Sequence, residues 1–157
     1  MTSLLLRNLF FTILQPGFVA GVFPYWIART QFNRVLNQPL GFYHFGALLI
    51  FVFGLMVMLA CIFRFAFEGK GTLSPADETK QLVIGGLYRY SRNPMYIGVM
   101  LILIGETVFT LSSSLTIYST IIFICFNLFI IIHEEPRLQK DFGDQYGQYR
   151  KKVRRWL

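Results

Sequence analysis

The chain has 157 residues, of which 54% are hydrophobic, 17% aromatic and only 15% charged, and its mean hydropathy is +0.50. A soluble domain of this length cannot bury so much apolar surface, and the apolar residues form long blocks, so the composition indicates an integral membrane protein. The net charge of +7 comes from residues between those blocks and at the C-terminal end, which fits anionic lipid headgroups better than nucleic acid.

Four apolar blocks predict an all-α, multi-pass bundle in a single membrane-embedded domain over residues 1–157, with spans at about 4–27, 42–67, 95–111 and 115–132. Each block is long enough to span, because about 17–25 helical residues cross a hydrocarbon layer of ~30 Å. The first block contains Gln-Pro-Gly, which predicts a kink near Pro16. A cleaved signal peptide is the less favoured alternative, because the block has no clear small-residue cleavage site.

Only three serines, residues 112–114, separate the third and fourth blocks, and this predicts an antiparallel hairpin with a tight turn. Most Lys and Arg residues lie in the loop between the second and third spans and in the tail, 133–157. The positive-inside rule therefore places both termini, that loop and the tail in the cytoplasm.

The first polar cluster is GLYRYSRNPMYIG, residues 86–98. Pro94 suits the first turn of a helix, and Asn93 before it can accept hydrogen bonds from the free amides there. Arg92 and Asn93 then lie at the mouth of the third span, with Tyr96 one turn inside. The alternative is an ordinary belt of tyrosine and arginine at the membrane interface.

The second cluster begins directly after the fourth span, with Glu134 and Glu135. Two acids at the negative end of a helix dipole are unfavourable, so we expect one of them to pair with Arg89, Arg92 or Arg137. Successive helical residues point about 100° apart, so both acids cannot face one ligand.

Because the hairpin brings these two clusters to the same face, their chemistry can be combined. Guanidinium groups suit a carboxylate, a carboxylate suits an amine or ribose hydroxyls, and aromatic faces suit a flat base or a cation. S-adenosylmethionine carries all of these features. We therefore expect Arg92, Asn93 and Glu134 to position such a ligand, with no metal ion involved.

The stretch at 86–98, followed by EEPRLQKDFGDQYGQYRKKVRRW at 134–156, resembles the isoprenylcysteine carboxyl methyltransferases and, more broadly, the phospholipid methyltransferases. GKGTLSPADETKQLVIGGLY, at 69–88, resembles the small prokaryotic-type members, so the resemblance covers about residues 64–157. It implies a membrane methyltransferase that holds S-adenosylmethionine on the cytosolic side, beneath a C-terminal cap, and acts on a lipophilic small-molecule or lipid acceptor.

Carried over by position, the resemblance implies cofactor contacts for Lys80, Gln81, Leu82, Val83, Tyr88, Asn93, Pro94, Met95, Tyr96 and Glu134, and a cap shaped by Gly143, Tyr146 and Tyr149. The chain departs from the family in two places. It has Asn93 where histidine is frequent, and Ile130 where the prenylcysteine enzymes have a substrate-holding arginine. The resemblance therefore leaves the methyl acceptor unassigned.

Two other functions fit parts of the sequence. A membrane reductase of the sterol-reductase type, which uses NADPH, carries a related arginine-proline-tyrosine stretch. A non-enzymatic membrane subunit would need neither polar cluster for ligand binding. Glu106, inside the third span, is a functional candidate because an acid at that depth is costly, but we favour a structural role for it.

Overall fold

The computed structural model describes residues 16–68 and 82–157, except for the side chains of 65–68. Within these ranges the chain is helical and contains no strand, so the predicted all-α bundle is confirmed. We number the helices α1 to α5 in chain order. They are α1 (Phe23–Leu36), α2 (Phe42–Glu68), α3 (Pro94–Thr110), α4 (Ser113–Phe129) and α5 (Glu135–Lys152), with π-helical turns at Phe18–Val22 and Ile130–Glu134 and a 3-10 turn at Gly86–Arg89.

Two helices of the described chain are long and apolar enough to cross a membrane, Phe42–Arg64 and the continuous helix Ser113–Lys152, and the apolar α3 is shorter. The second of these has 40 residues and bends at Gly143, so the part before the bend is ~45 Å long, which exceeds the hydrocarbon thickness of ~30 Å. Its apolar part ends at Ile132, and the acidic pair lies beyond that part. The predicted tail is thus a continuation of the fourth helix, and residues 4–15 of the first predicted span lie outside the described residues.

The first described helix continues past the apolar block that predicted a span there, to Leu36. Gly17, directly after Pro16, has helical angles (φ −63°, ψ −38°). The turn before Pro16, where a proline kink would bend the helix, lies outside the described residues, so that kink stays a prediction. The irregular backbone lies farther on, in the π-helical turn before Pro24 and at Ala28 (φ −111°, ψ 19°). Pro24 has no amide hydrogen to continue the α-helical bonding pattern, which accounts for the turn in front of it.

Close contact between α2 and α3 holds the centre of the bundle together. A Cβ atom on Gly98 would lie 2.8 Å from the backbone nitrogen of Met58, and one on Gly105 would lie 2.8 Å from that of Phe51. Gly54 of α2 faces Gly98 in the same way. Small residues let two helix backbones approach closely, and this contact is a main source of association between helices in lipid.

The predicted tight turn between the third and fourth spans is confirmed. Leu111 ends α3 in the left-handed region (φ 48°), and the Ser112 hydroxyl caps α4 by accepting from the Leu115 amide at 3.4 Å. Because the two helices run antiparallel, the start of α3 lies beside the end of α4. The two polar clusters of the sequence therefore meet.

Candidate active site

The contact that joins the two clusters is a hydrogen bond between α3 and the end of the π-helical turn. The Tyr96 hydroxyl donates to Oε2 of Glu134 at 3.0 Å. The Tyr96 ring also packs on Phe126 of α4, with ring centroids 4.6 Å apart. Burial raises the pKa of Glu134, while the Tyr96 hydrogen bond and the charge of Arg137 oppose that shift.

Glu135 faces a different group of side chains and is buried among arginines. Its Oε1 lies 2.9 Å from Nη1 of Arg92 and 2.9 Å from Nε of Arg155, and its Oε2 lies 3.1 Å from Nη2 of Arg155. Burial alone would raise the pKa of Glu135, but the Arg155 hydrogen bonds and the charges of Arg92, Arg155 and Arg150 together lower it. The predicted pairing of one glutamate with Arg92 is confirmed, and the contribution of Arg155 is a finding of the structure.

The C-terminal segment, residues 153–157, runs back along the start of α3. The Arg154 carbonyl accepts from the Arg92 amide at 2.9 Å. The Arg155 carbonyl accepts from Nδ2 of Asn93 at 2.9 Å and from the Ser91 hydroxyl at 3.2 Å. The predicted side-chain cap by Asn93 is therefore wrong, since its amide holds the C-terminal segment instead, whereas Pro94 does occupy the first turn of α3.

Helix α5 bends at Gly143 (φ 49°), and the part after the bend covers the arginine-tyrosine stretch. Tyr146 is only 2% exposed, and its hydroxyl accepts from Nη1 of Arg92 at 3.2 Å. The Tyr149 hydroxyl donates to the Tyr88 carbonyl at 2.7 Å. All three predicted cap residues thus belong to the segment that packs over the first cluster.

Trp156 fastens the end of the C-terminal segment to α4. Its indole nitrogen donates to Oδ1 of Asn127 at 3.1 Å, and its ring lies 5.4 Å from that of Phe123. We call Glu135, Arg92, Tyr146 and the C-terminal segment together the clasp. Ion pairs, backbone hydrogen bonds and the Trp156 indole hold these parts in place.

A pocket of ≈ 360 Å³ lies beside the clasp, between the end of α2 and residues 86–90. Tyr88 is the one predicted cofactor contact among its described lining residues. Burial, followed by the neighbouring Cys61 and Glu134, raises the pKa of Tyr88. Tyr88 therefore lies between the pocket and the Tyr96–Glu134 contact.

The structure brings together most of the predicted site, but not all of it. Arg92 and Asn93 are engaged in the clasp, whereas Tyr96 is bonded to Glu134 and both lie close enough to Tyr88 to interact with it electrostatically. Val83 is buried and Leu82 half-buried, Met95 is half-buried on α3, and Lys80 and Gln81 lie outside the described residues.

Sequence reasoning missed the role of Arg155, which pairs with Glu135 and whose carbonyl holds Asn93. The sequence did offer a signal for this pairing, because a run of Lys and Arg residues at the C-terminal end follows two adjacent acids. Within the described residues, no three His, Cys, Asp or Glu side chains are grouped to hold a metal ion.

Comparisons with known proteins agree with this geometry. Residues 42–145 match the phospholipid methyltransferase family. The chain is 37% identical over 86 residues to the protein-S-isoprenylcysteine O-methyltransferase of Schizosaccharomyces pombe, a match that covers 51% of this chain and 34% of that enzyme. It is 47% identical over 64 residues to an uncharacterised protein of Haemophilus influenzae, covering 40% of this chain and all of that protein.

No solved structure matches the chain significantly. The chain spans about a third of the yeast enzyme, so the activity of that enzyme does not transfer as a whole. The family match, however, covers α2, α3, α4 and α5 as far as residue 145, and it includes the first polar cluster and the start of the second, with Glu134 and Glu135. The chain therefore belongs to the phospholipid methyltransferase family.

Proposed function

We propose that the chain is an S-adenosylmethionine-dependent methyltransferase of the membrane, acting on a lipophilic acceptor from its cytosolic side. The observation that carries this proposal is the Tyr96–Glu134 hydrogen bond. It joins residues 38 positions apart, one from each of the two clusters. The match to a methyltransferase family and the name of the yeast relative support the same reaction class.

The side chains of Tyr88, Tyr96 and Glu134 suit the chemistry of the proposed cofactor. Tyr96 orients the carboxylate of Glu134, and carboxylate oxygens accept from ribose hydroxyls or from an ammonium group. The faces of Tyr88 and Tyr96 suit a sulfonium cation or a flat base. Arg92 and Asn93 position the C-terminal segment, because both already bond to the clasp.

The bound cofactor supplies an electrophilic methyl group, which passes to the acceptor while the sulfur keeps the bonding electron pair. The residues of this chain have three tasks in such a transfer. Glu134 and Tyr96 orient the nucleoside, the clasp excludes water from above, and the apolar flanks of the helices admit an acceptor from the bilayer. Alignment and exclusion of water supply most of what an in-line displacement needs.

The test is cofactor binding by calorimetry in detergent, together with transfer of a labelled methyl group to a panel of prenylcysteine, small-thiol, phospholipid-amine and fatty-acid acceptors. We expect the wild type to bind S-adenosylmethionine and to methylate at least one class. Glu134→Gln should weaken binding about 10–100-fold, because hydrogen bonds to a charged group contribute about 1.5–3 kcal/mol.

Two matched variants nearer the hairpin turn serve as controls. Tyr118→Phe, on α4, removes a hydroxyl that donates to the Val19 carbonyl, and Glu106→Gln replaces an acid ~15 Å along α3 from Tyr96. Both should leave cofactor affinity unchanged, whereas Tyr96→Phe should lower it. Tight binding of NADPH with no binding of S-adenosylmethionine would overturn the proposal.

A further inference from the structure

The end of α5 and the segment that follows it carry more positive charge than the clasp uses. From residue 145 onwards the chain has five Lys or Arg residues and no Asp or Glu. Two of the five, Arg150 and Arg155, lie beside Glu135. The remaining three are exposed, and they are Lys151, Lys152 and Arg154. These three cations need a partner, or a reason to be concentrated here, that the clasp does not supply.

Two contacts place the C-terminal segment at the edge of the apolar layer. The Arg154 carbonyl accepts from the amide of Arg92, directly before α3 begins. The Trp156 indole donates to Asn127, which lies only ~8 Å before the apolar part of the continuous helix ends. Because α3 and α4 are antiparallel, both contacts mark the same boundary. The chain thus leaves the apolar layer with α5 and returns to its edge with the C-terminal segment.

The exposed cations therefore lie near the depth of the lipid headgroups, a layer about 5–8 Å thick on each side of the hydrocarbon. Lys152 ends α5, and at most ~13 Å of extended chain separates it from Trp156. Tryptophan is enriched at this depth, and long cationic side chains extend from it into the polar layer. Leu157, 78% exposed, adds an apolar side chain beside them. We call the three exposed cations, Trp156 and Leu157 the basic strap.

The basic strap overlaps the part of the clasp that has to move when the clasp opens. The backbone of the C-terminal segment accepts from the Arg92 amide, the Ser91 hydroxyl and the Asn93 side chain. When these bonds break, the segment is free to leave the boundary, and its cations then leave the headgroup layer. Anionic lipid attracts each cation near its surface by about fivefold in an equilibrium constant, so three cations together favour the closed clasp by up to about 100-fold.

We propose that the basic strap docks on the anionic headgroup layer of the bilayer and that this contact keeps the clasp closed. The partner is the lipid phosphate of the membrane that surrounds the helices. The proposal goes beyond the proposed function, because opening of the clasp can be measured with neither cofactor nor acceptor present. It makes the charge of the bilayer a control on the C-terminal cover.

The experiment measures hydrogen exchange at the Arg92 amide in full-length protein reconstituted into nanodiscs. One preparation contains phosphatidylcholine, and the other contains an equal mixture of phosphatidylcholine and phosphatidylglycerol. At ~0.1 M salt, where charges are screened over ~10 Å, we expect exchange in the mixture to be at least about tenfold slower. At ~1 M salt, where the screening length is ~3 Å, the difference should fall to within about threefold.

The test variant replaces only side chains of the basic strap, by Lys151→Gln, Lys152→Gln and Arg154→Gln together. It keeps every backbone group of the clasp, so its exchange in phosphatidylcholine should stay within about twofold of wild type. In the mixture it should be slowed no more than about twofold. The matched control replaces three exposed cations elsewhere, by Arg29→Gln, Arg34→Gln and Lys140→Gln. Lys140 lies ~12 Å beyond the apolar part of its helix, outside the headgroup layer, so the control should keep the full slowing.

Any of three results would overturn the proposal. The first is equal exchange of wild type in the two membranes, and the second is an equal loss of slowing in the matched control, which would show general surface attraction. The third is slowing by soluble glycerol phosphate, in phosphatidylcholine, as large as that by phosphatidylglycerol, which would show binding of free phosphate. S-adenosylhomocysteine binding, measured separately, tests the proposed function. Its absence, with the strap-dependent slowing intact, would refute the proposed function and support docking of the strap.

Discussion

Removing the carboxylate at the centre of the clasp should release the C-terminal segment from the start of α3. In Glu135→Ala, Arg92 loses an ion-pair partner at 2.9 Å, and the two side chains are only 10% and 9% exposed. Breaking a buried pair by removing one partner costs about 3–5 kcal/mol, because the remaining charge stays uncompensated. The side chains of Arg155 and Arg150 are 30% and 53% exposed, so water screens those pairs and they add at most ~1 kcal/mol.

The assay is native-state hydrogen exchange read by mass spectrometry. The amide of Arg92 donates to the Arg154 carbonyl at 2.9 Å, so its exchange reports directly on opening of the clasp. A loss of about 3 kcal/mol corresponds to roughly 100-fold faster exchange at this amide. The amides around the Gly105–Phe51 contact, ~20 Å along the chain direction of α3 from Arg92, should keep their wild-type rates.

Asp144→Ala is the matched control, because it removes an exposed acid from the same helix. We expect its exchange at the Arg92 amide to stay within about twofold of wild type. Arg155→Ala should fall between the control and Glu135→Ala, since its side chain is partly in water. Two results would refute the conclusion that the buried Glu135–Arg92 pair keeps the clasp closed. One is an exchange rate in Glu135→Ala within threefold of wild type, and the other is an equal effect in Asp144→Ala.

Three further changes test other parts of the structure. Gly98→Ala should destabilise the bundle by about 1–3 kcal/mol, seen as a lower melting temperature, because the new methyl group meets the backbone of α2. Gly46→Ala, which has open space around its Cβ position, should leave the melting temperature unchanged, and equal effects of the two substitutions would contradict the close contact. Tyr149→Phe removes a 2.7 Å hydrogen bond to the Tyr88 carbonyl, and a loss of about 1 kcal/mol should weaken S-adenosylmethionine binding roughly fivefold by calorimetry. Unchanged affinity would count against Tyr88 as a cofactor contact. The folded state lowers the pKa of Glu135, so its contribution to the stability of the clasp is complete above the ordinary carboxyl pKa of about 4.3 and is lost as pH falls through the lowered value. The rate of limited proteolysis of the C-terminal segment should therefore be constant from about pH 7 to 5 and rise only below about pH 4. A rise near pH 6 would exclude Glu135 as its cause.

The meeting of the two clusters could be predicted because it depends on one local feature. Three serines between two apolar blocks leave the chain no arrangement other than an antiparallel hairpin, which fixes the start of α3 beside the end of α4. That one glutamate pairs with a nearby arginine followed from the cost of two acids at a helix end, and the structure identifies the pair as Glu135 and Arg92. Both conclusions needed only the order of residues and elementary electrostatics.

The role of Asn93 could not be predicted in this way. The rules of helix capping consider only the amide groups of the helix that follows, and by those rules Asn93 is a cap. The acceptor that its side chain actually meets is the carbonyl of Arg155, 62 positions away. A tertiary contact of this kind overrides a local preference whenever it satisfies the same polar group in a more buried place.

The ends of the first and fourth helices could not be predicted from the apolar blocks for a related reason. Apolar blocks mark where a helix lies in lipid, and they do not mark where the helix ends. Both α1 and the helix that begins at Ser113 continue past their apolar parts, to Leu36 and Lys152. Polar residues from His133 onward indicate where the helix leaves the apolar layer, while its backbone hydrogen bonds continue.

The π-helical turn Ile130–Glu134 sets where the two adjacent acids point. Successive residues of any helix already point about 100° apart. A π-helical turn holds one extra residue, so it also rotates the next part of the helix by about 100° relative to a regular α-helix, and turns of this kind are frequent at functional sites. Ile130, fully buried, lies at its start, and the Ile130 carbonyl accepts from the amide of Glu135. In this orientation Glu134 bonds to Tyr96, while Glu135 pairs with the arginines that hold the C-terminal segment.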